Sequence, residues 1–118
     1  MTKTNLIKTL QVIANSDDNT IEKFVAQKAL LYYDTTEFFK DIITLGCASV
    51  VVDELFFTED THKFYDTHYE EIEELRTEYE DSTGDSVDIS GRDLKNTLAW
   101  FAFEQTAYNL ANKLELEV

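Results

Sequence analysis

Cys47, His62 and His68 are the soft side chains through which this sequence could hold a metal ion or attack an electrophile. Their separations match neither the Cys-x2-Cys nor the His-x3-5-His pattern of zinc sites. On one helix a step of six residues turns a side chain by about 120°, so His62 and His68 do not face one ion together. A Cys47–His68 nucleophile pair is formally available, because a cysteine that follows Gly46 and opens a helix gains thiolate character from the helix dipole. No glycine-rich phosphate loop, nucleophile elbow or cofactor fingerprint accompanies it, which favours a small thiol packed at a helix junction. Glu104 shares a helical face with Trp100, Ala107 and Ala111. Such a carboxylate is either neutralised by a hydrogen bond from a tyrosine, a histidine or a helix N-terminus, or it is a general acid or base in a cleft. The balance of these readings is a protein without catalytic residues, metal or cofactor, the alternative being a small metal-dependent or cysteine enzyme built on Cys47, His62, His68 and Glu104.

The carboxylates are the more informative chemistry. The formal charge is −14, and the stretch Asp53 to Asp88 holds fourteen acids against only Lys63 and Arg76, so it carries −12 of it. An anionic chain of this kind is repelled by nucleic acid, by an anionic membrane surface and by polyphosphates, so none of these is an expected direct ligand. A basic protein surface is.

Residues Glu59 to Asp81 spell an amphipathic helix. At 100° per residue Tyr65, His68, Tyr69, Ile72, Leu75 and Tyr79 share one face. Asp66, Glu70, Glu71, Glu73, Glu74, Glu78 and Asp81 take the flanks and the outer side. Ten acids in this span give about one per 3.4 Å of helix, close to the phosphate spacing along one DNA strand. The face is then either an ordinary solvated surface or a DNA-mimicking one that competes for a nucleic-acid groove. Asp66, Glu70, Glu73, Glu74, Glu78 and Asp81 are the expected partner-binding residues.

The rest of the chain supplies the scaffold. It has no proline and three glycines, which favours long helices over short strands and tight turns. Leu6, Ile7, Leu10, Val12 and Ile13 predict a first helix that ends in the polar run Asn15 to Asn19. Thr20 or Asn19 caps a second, with Ile21, Phe24, Val25, Ala29, Leu30 and Tyr32, which stops near Asp34. A third restarts at Thr35 or Thr36 and ends at Gly46. The apolar run from Cys47 to Phe57 reads as a buried helix, although its valines also suit a strand. Val87 and Ile89 alternate with polar residues as a short extended segment does, and a last helix runs from about Arg92 to Leu114 with a broad apolar face. The expectation is one all-α domain over residues 1–118, a compact bundle of about five or six helices with at most a short β-element near residues 86–90. No secretory leader or membrane span is apparent, and a lone cysteine asks for no oxidising compartment, so a cytosolic location is expected.

Two stretches, Asp60-Thr61-His62-Lys63-Phe64-Tyr65 followed by His68 and Glu71-Ile72-Glu73-Glu74-Leu75, and Leu94-Lys95-Asn96-Thr97-Leu98-Ala99-Trp100-Phe101-Ala102-Phe103-Glu104, resemble a family of small uncharacterised bacteriophage proteins. The similarity runs from about Leu30 to Leu114. It implies a phage or prophage product that acts in a bacterial cytoplasm, and it implies no enzyme activity. By analogy with small acidic phage proteins, the resemblance points to an inhibitor of a host nucleic-acid-handling or defence system, restriction or CRISPR, whose partner is a nucleic-acid-binding complex. A structural or assembly homodimer is the alternative.

Overall fold

The computed structural model describes residues 2–32, 34–45, 61–86 and 94–114, and within 42–45 the backbone alone. Gly46, Cys47 with the apolar run after it, and the Val87–Ile89 segment were each assigned a role from the sequence and lie outside the described residues. Among those described there are six helices and no strand: α1 Lys3–Ala14, α2 Ile21–Leu31, α3 Thr35–Leu45, α4 Thr61–Thr67, α5 Tyr69–Thr83 and α6 Leu94–Lys113. The fold is an all-α bundle. Its radius of gyration is 13.8 Å, near the roughly 13–14 Å of a compact domain of this length.

The first three helices start after short polar side chains that satisfy the first backbone donors. Thr2 accepts from the Asn5 N–H at 3.2 Å, and Thr20 from the Lys23 N–H at 3.2 Å. The third helix begins at Thr35, as the sequence spacing predicts, and the side chain that caps it is that of Asp34. Asp34 Oδ1 accepts the N–H groups of Thr36 and Glu37, at 2.9 and 3.2 Å, and Oδ2 meets Lys3 Nζ at 2.7 Å. The Lys3 hydrogen bond, with the backbone donors, holds the Asp34 carboxyl below its usual range.

α6 is the central helix and packs against α2, α3, α4 and α5, while α1 lies on α2 and α3. Ala99, Ala102, Ala107 and Ala111 are fully buried along it, and their small size lets neighbouring helices approach closely. Larger volume comes from phenylalanines. Phe103 of α6 meets Phe24 of α2 at 5.8 Å and Phe38 of α3 at 6.3 Å, and Phe24 meets Phe64 of α4 at 4.9 Å. These tilted and edge-on pairs tie four helices through one aromatic cluster. The apolar stripes are narrower than the sequence spacing suggested: Val12, Leu94 and Tyr108 are exposed.

The acidic segment departs from the sequence expectation of one helix from Glu59 to Asp81. Glu59 and Asp60 lie outside the described residues, and from Thr61 on the segment is two helices, broken at His68, whose φ of −110° and ψ of 25° leave the helical range. Backbone bonds still bridge the break, from the His68 N–H to the Phe64 carbonyl at 3.0 Å and from the Ile72 N–H to the His68 carbonyl at 2.9 Å. Gly84, at φ 76°, closes α5 in the left-handed region and donates its N–H to the Glu80 carbonyl at 2.9 Å.

A candidate protein-binding surface

The acids of α4 and α5 divide into three sets once their partners are placed. Glu71 points inward. Both its oxygens accept the Ile21 N–H, at 3.2 and 3.1 Å, so it shares with Thr20 the capping of α2. The first-turn donors of α2 attract a negative charge there. Sequence spacing carries no sign of this role, because the donor lies fifty residues away.

A second set is tied to neighbouring side chains. Arg76 meets Glu80 at 3.1 Å and Glu73 at 3.9 Å, and Glu73 also accepts from the Tyr65 hydroxyl at 3.3 Å. Burial, then the nearby Glu73 charge, pushes the Tyr65 phenol above its ordinary range, which keeps it protonated and able to donate. Asp66 pairs with Lys95 of α6 at 2.8 Å, with Asp66 exposed and Lys95 half-buried. Two expected binding residues, Glu73 and Asp66, therefore already have partners.

The third set is Glu70, Glu74, Glu78 and Asp81. All four are exposed, and none of their side chains makes an ion pair or hydrogen bond among the described residues. At 100° per residue they fall within an arc of about 80°, opposite Ile72, from Glu70 to Asp81. Four carboxylates over these twelve residues, about 18 Å, average about one per 4.5 Å, sparser than the phosphates of one DNA strand. The closer spacing read from the sequence counts acids whose charge is spent on Arg76, Lys95 or the start of α2.

Of the face assigned to the core, Tyr65, His68 and Ile72 are buried and Leu75 and Tyr79 are half-buried, but Tyr69 is exposed, its ring turned against Tyr65 at 5.6 Å. The His68 ring packs on Phe64 at 4.8 Å, and its Nδ1 lies 3.8 Å from Glu71, too far for a hydrogen bond. Burial lowers the His68 imidazole below the ordinary histidine range and Glu71 only partly offsets it, so the ring is neutral at pH 7.

His62 is exposed while His68 is buried, in keeping with their 120° separation. Glu104 is half-buried in α6 and has a partner. Among the described residues no group of three or more His, Cys, Asp or Glu side chains is placed to hold a metal, and no helix is long and apolar enough to cross a membrane. Beside the acidic stripe, α5 and α6 leave a groove of about 450 Å³ walled by Leu75, Tyr79 and Tyr108. Spacing along one helix gives no sign of it, because its walls come from two helices.

A family model described as "Domain of unknown function (DUF7222)" matches residues 18–116, most of the chain. No curated protein matches, and no solved structure does.

Proposed function

We propose that this chain, which belongs to the DUF7222 family, is a binding protein that docks the outer face of α5 onto a basic protein surface. The observation that carries the reading is the stripe of Glu70, Glu74, Glu78 and Asp81, four exposed carboxylates without a neutralising partner among the described residues, on a chain of net charge −14. Such a face steers association with a basic partner and rejects anionic ones. The family description assigns no activity. The resemblance to phage proteins extends the proposal to the partner's class, a nucleic-acid-binding complex of host defence in the bacterial cytoplasm, which this protein would inhibit. Among the described residues the exposed large apolar side chains, Val12, Leu31, Tyr69, Leu94 and Tyr108, are spread over four helices, which gives a homodimer less to build on there.

The test is capture from bacterial lysate on the immobilised protein at low and high salt, beside a variant with all four stripe residues changed to lysine. The reading expects proteins held at low salt by the parent, released by salt and not retained by the variant. Identical captures on parent and variant would remove it.

A further inference from the structure

The groove between α5 and α6 lies directly against the acidic stripe, and one residue belongs to both. Glu78 lines the groove from α5, and Asp81 follows it three residues later on the same arc. Leu75, Tyr79 and Tyr108 form the apolar wall. Tyr79 is held edge-on against Phe101 of α6 at 5.4 Å, so that wall is built rather than adaptable. The far rim carries the amides of Gln105 and Asn109, which hydrogen-bond to each other at 3.3 Å. Among the described residues that line the groove there is no lysine or arginine.

Its volume of about 450 Å³ exceeds what one large side chain fills, and Tyr108 presents much of its ring to solvent. Charge decides between occupants. A second copy would bring another −14 toward the same carboxylates, whereas a cationic segment would be drawn to them. Apolar contact in the groove with cations along one rim is the arrangement by which an amphipathic basic segment is recognised.

We propose that the α5–α6 groove receives an aromatic or leucine-sized side chain from a basic protein segment whose lysines or arginines pair with Glu74, Glu78 and Asp81. This rests on the reading of the acidic face and adds an apolar anchor to it.

Two labelled synthetic peptides of equal length and charge test it by fluorescence anisotropy, one an oligolysine with serine spacers, the other with leucine and phenylalanine in place of the serines. The apolar peptide should bind about tenfold or more tighter than the serine peptide. Tyr108→Ser should erase that excess and leave serine-peptide binding unchanged, while Tyr108→Phe should keep it. Asn109→Arg, at an exposed position, places a cation at the groove mouth and should weaken the apolar peptide more than the serine one, so the test stands even where Tyr108→Ser folds poorly. Equal binding of the two peptides to the parent overturns the groove proposal and leaves the acidic face standing. Binding of neither overturns both. A concentration-dependent dimer in sedimentation that Tyr108→Ser dissolves assigns the groove to a second copy and overturns the proposal as well.

Discussion

Glu71 of α5 accepts the Ile21 N–H with both carboxylate oxygens, at 3.2 and 3.1 Å, which fastens the start of α2 to the helix that carries the acidic stripe. A charge-assisted cap on a half-buried donor is among the stronger local contacts a helix makes. Glu71→Ala should therefore cost about 1–2 kcal/mol in urea unfolding, because the Ile21 N–H loses its acceptor. Glu70→Ala, one residue away on the exposed face, should stay within about 0.5 kcal/mol. Equal losses from the two would show that the cap contributes nothing.

His68 makes stability depend on pH. Its folded pKa is depressed, chiefly by burial, so the unfolded chain takes up a proton before the folded one does. As pH falls below about 6.5, the unfolded state gains protons and the folded state loses stability until the lower folded pKa is passed. The His68 contribution is whole above that window and lost on descending through it. The unfolding free energy of the parent minus that of His68→Gln should accordingly shrink from pH 7 to pH 5, with the other titrating groups common to both. A difference that stays flat or grows on acidification would mean that the imidazole is not held neutral by the fold.

Helix capping and core spacing were largely legible in the sequence. Thr20 caps α2 as its position before an i, i+3, i+4 apolar series suggests, and Ile21, Val25 and Ala29 are buried at that spacing. Asp34 was legible too, as an acid three residues before Glu37 at a helix start, but the two threonines after it compete for the same role on propensity alone. The break at His68 was not, because no glycine or proline marks it and the backbone bonds on either side continue across it. The contact that accompanies it, Glu71 reaching the start of α2, is tertiary and fifty residues away in sequence. The division of the acids into spent and unspent charge was hidden in part: Arg76 meets Glu73 and Glu80 at the i, i+3 and i, i+4 spacings of one helix, but Asp66 and Glu71 are met from elsewhere. Lys95 reaches Asp66 from another helix, and sequence periodicity places side chains on faces without saying what faces them.

Thr106 offers a test in the opposite direction. Its hydroxyl is buried in the core face of α6 with no hydrogen-bond partner among the described residues. A buried hydroxyl in that state is a cost rather than a contact. Thr106→Val keeps the branched shape and removes the unpaired oxygen, so it should raise stability by about 1 kcal/mol in urea unfolding. A loss of similar size would mean that the oxygen has an acceptor after all.

The central claim is that the exposed carboxylates of α5 bind rather than merely solvate. Changing Glu70, Glu74, Glu78 and Asp81 together to lysine shifts the face by two charge units per residue. All four are exposed and none contributes to the core. Each surface change usually costs within about 0.5 kcal/mol, and relief of self-repulsion offsets part of that. Like-charge contacts across an interface, by contrast, cost several kcal/mol. The decisive measurement is the affinity of this variant for a basic partner captured by the parent, at matched salt, beside a thermal melt of the same sample. The variant should melt near the parent and bind at least about a hundredfold more weakly, the equivalent of about 2.7 kcal/mol. A variant that melts normally and binds as tightly as the parent would contradict that claim, and the acidic face would then be no more than a solvated surface.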